Sequence, residues 1–197
     1  MRWVQTARAA HIWPASKSGQ YRISDLVTVD AERARVLVAA SRTAEEAGDV
    51  QGSMALARAA LALVEGPPLD GVLTGYGWWS SEGHERRVAD ALVDGASRLA
   101  RLAAHTGHLE LGAWGLEQAR LVEPYSEVLS RAAMKVAAAG GDTDRVRHEW
   151  MECQRRVDEL DPGSVPSERT ERLYVELRGG VLPFAGDGGQ AVEAPAV

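Results

Sequence analysis

Two histidines, His105 and His108, lie close together in the sequence, and Glu110 is nearby. Imidazole and carboxylate groups are ligands that zinc binds in proteins. Histidines on a turn between exposed helix ends are usually solvated, however, and no cysteine or aspartate lies at a matching interval. The pairs His84-Glu85 and His148-Glu149 both lack the second histidine of an HExxH motif. The sequence therefore predicts neither a metal site nor a bound cofactor.

The only cysteine in the chain, Cys153, is the one candidate for a thiol nucleophile. It falls between Trp150 and Val157 on an apolar helical pattern, which is typical of a small core residue rather than of a reactive thiol. The chain contains no GxSxG motif, no GxxxxGK(S/T) phosphate loop and no GxGxxG turn after a strand. We therefore predict that the protein is not an enzyme.

Arg86 and Arg87 follow Trp78 and Trp79 in the sequence. Basic and aromatic side chains together can hold a nucleic-acid strand through phosphate contacts and base stacking. Acidic residues alternate with them and the whole chain has a net charge of −6, so the pattern disfavours nucleic acid as the ligand. The tryptophans belong to a glycine-rich connection, which forms either a binding lip or a loop with buried indoles.

The composition limits the class of protein. A chain of 197 residues with 45% hydrophobic content is long enough for one well-buried domain. One cysteine cannot form an internal disulfide, and the first residues lack the apolar core of a secretion signal. No run approaches the roughly 18 apolar residues that span a bilayer. The sequence therefore predicts a cytoplasmic protein without a membrane segment.

The middle of the chain has the periodicity of amphipathic helices, and the two ends do not. We predict an all-α fold of about six to seven helices within residues 25–178. Residues 1–24 have no helical period and are predicted to be irregular. Residues 179–197 are rich in glycine, proline and alanine, so we predict a disordered tail.

Three apolar stripes predict the buried faces of these helices. The opposite faces carry charges, among them Arg98 and Glu149, and are predicted to be solvated. Asp30 is a plausible N-cap of the first helix, Asp49 opens the second, and Asp142 or Thr143 can cap the helix near the C-terminus. The stripes comprise Val36, Leu37, Ala40 and Ala44 in the first helix, Val88, Leu92, Ala96, Leu99 and Ala103 in a later one, and Val146, Trp150, Cys153, Val157 and Leu160 near the C-terminus.

Small residues and prolines recur with the spacing of a tetratricopeptide repeat. Ala119 and Pro124 lie 12 and 17 positions after Gly107, where the repeat places its helix contact and the start of its next unit. Gly141 follows Gly107 by 34 positions, which is one repeat length, although Pro162 comes about one helical turn late. The spacing predicts a tetratricopeptide-like stack of antiparallel helical hairpins.

Two stretches, "ALARAALALVEGPPLDGV" from Ala55 and "EPYSEVLSRAAMKV" from Glu123, resemble the bacterial transcriptional activator domain. That domain is the helical, tetratricopeptide-like module of SARP-type regulators, and the resemblance covers about Tyr21 to Arg178. It implies a role in regulator assembly, oligomerisation or contact with the transcription machinery. Such regulators usually carry a winged-helix DNA-binding domain before this module, and Met1–Ser24 are too few to form one. The resemblance thus implies a truncated relative, a fragment of a longer regulator or a stand-alone module.

These observations leave four hypotheses. The leading one is a non-enzymatic interaction module of a bacterial transcriptional regulator, which binds a second copy of itself or the transcription machinery. Its partner would lie in a groove between hairpins, where Trp114, Tyr125 and Arg131 supply aromatic and charged anchors. DNA would then be reached only through a missing or separate domain. The alternatives are an activator fragment that contacts DNA directly, a small hydrolase or metal protein whose motifs have diverged, and a tetratricopeptide-type scaffold unrelated to transcription.

Overall fold

The structure is a computed structural model that describes residues 29–67 and 81–179. Within these two ranges the chain forms seven helices and no strand, so the predicted all-α fold is confirmed there. None of these helices is long and apolar enough to cross a membrane. Residues 1–24, the Trp78-Trp79 pair and all but the first residue of the predicted tail lie outside the described residues. The helices are α1 (Asp30–Glu46), α2 (Val50–Leu61), α3 (His84–Thr106), α4 (Leu109–Arg120), α5 (Glu127–Ala139), α6 (Thr143–Leu160) and α7 (Glu168–Arg178).

The helix ends follow the local chemistry of the sequence. The Asp49 carboxylate accepts a hydrogen bond from the Gly52 amide at 2.8 Å, and Asp142 accepts one from Arg145 at the same distance. Asp49 therefore caps the helix that it was predicted to open, and Asp142 rather than Thr143 caps the later one. The predicted cap at Asp30 is wrong, because α1 begins at Asp30 and Val29 occupies the N-cap position without a side-chain hydrogen bond. Gly107 ends α3 with φ at 79°, a left-handed conformation that glycine adopts without a steric penalty.

The helices pack as hairpins in two layers. Helices α1 and α2, α3 and α4, and α5 and α6 each contact their hairpin partner. The odd-numbered helices also contact one another in succession, from α1 to α3, α5 and α7. Each even-numbered helix packs against the next odd-numbered one. One layer is therefore built from α1, α3, α5 and α7, and the stack is extended by one hairpin at a time.

Two clusters of buried residues form the core. The first and larger one holds the whole predicted stripe of α3, from Val88 to Ala103. The second lies between α5, α6 and α7, where the rings of Trp150 and Tyr174 stack with their centroids 4.8 Å apart. Helix α5 contributes to both clusters, so it joins the last two helices to the rest of the core.

The predicted buried face of α1 is wrong. Its buried residues are Ala31, Ala34, Val38 and Ser41, whereas Val36 of the predicted stripe is 57% exposed. The Ser41 hydroxyl donates a hydrogen bond to the Ser53 carbonyl of α2 at 2.9 Å, which satisfies it in the core. An alanine-rich helix has little contrast in hydrophobicity between its faces, so the sequence pattern alone did not predict which face is buried.

Candidate functional site

A groove lies on the layer of odd-numbered helices, between α3, α5 and the first turn of α7. Its volume is about 380 Å³, near the small end of the range of roughly 300–1,000 Å³ that ligand sites occupy. Five basic side chains and one carboxylate line it, although the chain as a whole is acidic. We call it the basic groove. Its charged residues are Asp94, Arg98, Arg101, Arg131, Lys135 and Arg169.

The helix period brings these side chains to one place. Asp94, Arg98 and Arg101 on α3 and Arg131 and Lys135 on α5 are separated by three or four residues, so each set forms one stripe along its helix. Helices α3 and α5 pack against each other, and residues of both stripes line the same groove. The two stripes therefore form opposite walls of the basic groove.

A carboxylate from α1 holds the α3 wall. Glu45 forms ion pairs with both Arg98 and Arg101, and the Arg98 Nη1 to Glu45 Oε2 distance is 3.3 Å. The other Arg98 terminal nitrogen contacts Asp94 at 3.0 Å. The side chain of Arg98 is only 8% exposed, so its prediction as a solvated residue is wrong. Arg98 is a fixed part of the wall, because its two partners hold the guanidinium in place.

A hydrogen-bonded network joins the opposite wall to the start of α7. The Glu127 carboxylate accepts hydrogen bonds from the Ser167 amide at 3.0 Å, the Ser167 hydroxyl at 2.6 Å and the Thr170 hydroxyl at 2.5 Å. Arg131 donates to the Thr170 oxygen at 2.7 Å. Burial, and the positive charge of Arg169 nearby, lower the pKa of Arg131. Arg131 and Arg169 are thus two like charges held at one end of the basic groove.

A Glu127→Gln variant is expected to lose roughly 1 kcal/mol of stability at neutral pH, because neutral hydrogen bonds replace charge-assisted ones. Burial opposes the charge of Glu127, but the hydrogen bonds from Ser167 and Thr170 outweigh it and hold the pKa below its usual value. A lowered pKa stabilises the fold above the unfolded value of about 4.3, and this contribution disappears as the pH falls through the folded value. Thermal melts of both proteins across the acidic range measure the difference.

The difference in melting temperature should therefore be largest at neutral pH and should vanish in acid. Glu110→Gln is the matched control, because Glu110 also lies in the first turn of its helix and is exposed. A constant difference at every pH would show that the charge of Glu127 does not matter.

The structure separates the three residues predicted as binding anchors. Arg131 lines the basic groove, but Trp114 and Tyr125 are not among the residues that line it. Trp114 is half-buried and packs against the first core cluster. Tyr125 lies in the connection between α4 and α5, where it is 41% exposed. Only the charged member of the predicted set belongs to this site.

The residues considered for other chemistry, His105, His108 and Cys153, are not among those that line the basic groove. Nδ1 of His105 is 2.8 Å from the Arg101 carbonyl oxygen, and Nδ1 of His108 is 3.0 Å from the Thr106 hydroxyl. No group of three or more potential metal ligands occurs in the described part of the chain. Cys153 is buried, and this burial raises the pKa of its thiol. Its neutral form fits the predicted role as a core residue.

Sequence reasoning missed four basic residues of the groove, namely Arg98, Arg101, Lys135 and Arg169. Each was either assigned to a solvated face or not considered. Their spacing on α3 and α5 was visible in the sequence. That the two stripes face each other follows only from the packing of hairpins that are separate in sequence.

A family model described as "Bacterial transcriptional activator domain" matches residues 29–178. The match begins directly before α1 and ends with the last residue of α7, so it covers every described helix. No curated protein and no solved structure gives a significant match. The chain belongs to the bacterial transcriptional activator domain family, which places it among transcription regulators.

Proposed function

We propose that this chain is a non-enzymatic protein-interaction module of a bacterial transcriptional regulator, and that its partner binds in the basic groove. The observation that carries the proposal is the convergence of five basic side chains from three helices on one concave surface. Family membership supplies the link to transcription. The module would act in the cytoplasm, where bacterial transcription takes place.

The construction of the groove supports a role in recognition. Three of its cations, Arg98, Arg101 and Arg131, are held by ion pairs with Glu45, Asp94 and Glu127, so binding costs these side chains little entropy. Ala100, Val128 and Ala132 line the same groove and offer apolar contact between the charges. Charged groups around an apolar centre are typical of protein interfaces. The partner is either a second copy of the chain or a component of the transcription machinery.

The five basic residues also favour a second candidate function, which is direct contact with DNA. Phosphate contacts draw on lysine and arginine. Three carboxylates already neutralise part of this charge, however, and the chain carries a net charge of −6. DNA binding therefore remains the alternative to the protein-interaction role.

The test is binding by the full chain to RNA polymerase from the source bacterium and to a second copy of itself, measured by interferometry and by sedimentation. Lys135→Glu/Arg169→Glu is expected to weaken the interaction by about tenfold or more, which corresponds to at least about 1.4 kcal/mol. The control, Arg147→Glu/Arg172→Glu, makes the same change in charge at exposed positions outside the groove and should bind normally. Circular dichroism checks that each variant is folded, and Lys135→Gln/Arg169→Gln replaces the first pair if it is not.

Two outcomes contradict the proposal. One is protein binding that the groove variants and the control variant weaken equally. The other is tight binding to duplex DNA that falls steeply with salt, in the absence of any protein binding.

A further inference from the structure

We propose that the ligand of the basic groove is a short acidic peptide segment that also carries apolar side chains. Its carboxylates would bind between Arg101, Arg131 and Arg169, and its apolar side chains would contact Val128. This inference rests on the proposed function, because it names the chemistry of the partner that the module recognises.

The positive charges of the groove favour a negatively charged ligand. Arg169 forms no ion pair among the described residues, and it lies close enough to Arg131 for the two charges to repel each other. A carboxylate between them would turn this repulsion into two attractions. Arg101 lies on the facing helix and has Glu45 as its ion-pair partner, so its remaining donors can bind a second acidic group.

The apolar residues of the groove favour a peptide over a nucleic acid. Val128 is 44% exposed although it lies among charged side chains, and Ala100 and Ala132 are beside it in the groove. A sugar-phosphate backbone presents mainly charged phosphates, and only its sugar carbons offer apolar contact for these residues. A peptide with alternating acidic and apolar side chains would satisfy both the cations and this apolar strip.

The size of the groove sets the length of the ligand. A volume of about 380 Å³ accommodates a few side chains and not a folded domain. The walls come from α3 and α5, which pack against each other in the first core cluster and hold the groove at this width. The occupant is therefore a short extended or helical segment of the partner, recognised by its side chains.

The inference is tested with a short fluorescein-labelled peptide that alternates glutamate and leucine, titrated with the full chain at about 0.15 M salt. Fluorescence anisotropy should show saturable binding. Peptides with glutamine in place of glutamate, or serine in place of leucine, should each bind about tenfold more weakly. Lys135→Glu/Arg169→Glu should lose binding, and Arg147→Glu/Arg172→Glu should retain it.

Equal binding of the glutamate and glutamine peptides would overturn the inference. Displacement of the acidic peptide by a short DNA duplex at the same salt concentration would also overturn it, in favour of a nucleic-acid site. If RNA polymerase or a second copy binds through the groove while no acidic peptide does, the acidic ligand is wrong and the interaction role stands. If the acidic peptide binds and neither protein does, the ligand chemistry is supported and the assigned partners are wrong.

Discussion

Replacement of Glu149 by alanine is expected to lower the free energy of unfolding by about 3–5 kcal/mol, because it leaves a buried arginine without its main partner. The Arg120 Nη2 to Glu149 Oε2 distance is 2.6 Å, and the two side chains are only 8% and 3% exposed. Arg145 contacts the other Glu149 oxygen at 3.0 Å. Arg120 keeps a contact with the exposed Glu117 in the variant, which places the expected loss toward the lower end of the range. Urea denaturation measures the loss.

The control for this prediction removes the buried pair as a whole. Arg120→Met/Glu149→Leu should recover most of the lost stability, since apolar residues of similar volume replace a buried ion pair at little cost. Arg145→Ala should cost less than about 1 kcal/mol, because Arg145 is half-exposed. If Glu149→Ala is no more harmful than Arg145→Ala, the pair is not buried in solution.

Leu99→Ala should produce the second large loss, about 2–5 kcal/mol, because a fully buried side chain leaves a cavity in the first core cluster. The position of Leu99 also explains why residue 115 on the neighbouring helix α4 is a glycine. A methyl group added at Gly115 would lie 2.8 Å from Cδ2 of Leu99 and 3.2 Å from Cδ1 of Leu61. Gly115→Ala alone should therefore cost about 1–3 kcal/mol through overpacking.

Combining Leu99→Ala with Gly115→Ala separates the effect of packing on stability from the effect of helix propensity. In Leu99→Ala the added methyl has room, so Gly115→Ala should cost little there or should restore stability. The unfolding free energies of the wild type, the two single variants and the double variant give the coupling energy between the two positions directly. Additive losses would mean that Leu99 and Gly115 are not in contact.

The sequence predicted helices and buried seams best where apolar contrast was strong. The α3 stripe is buried throughout, and Val146 and Cys153 on α6 are buried as predicted. Leu160, at the end of the α6 stripe, is 63% exposed. Helix α6 has 18 residues and its hairpin partner α5 has 13, so the last turn of α6 extends past the helix that covers the rest. Periodicity shows which face of a helix is apolar, but it does not show how far along that helix the neighbouring helix covers it.

Charged residues were the main failure of sequence reasoning. Glu149 was predicted to be solvated, but its partner Arg120 lies 29 positions earlier on another hairpin, and only the packed structure brings them together. The same limit applies to the basic groove, whose side chains come from three helices. A single charged residue is usually solvated, and that expectation fails where a distant residue of opposite charge makes burial favourable.

The position of helix α5 in both core clusters has a further consequence for how the domain opens. Helices α6 and α7 bury their apolar residues only in the second cluster, and besides α5 they are held by the Arg120–Glu149 pair. We expect them to open together in a subglobal unfolding event, in which α6 and α7 separate from α5 while the first cluster stays intact. That opening would carry Arg169 away from Arg101 and Arg131. Occupancy of the groove and closure of α6 and α7 are therefore thermodynamically linked, so a ligand that bridges α5 and α7 stabilises the closed arrangement.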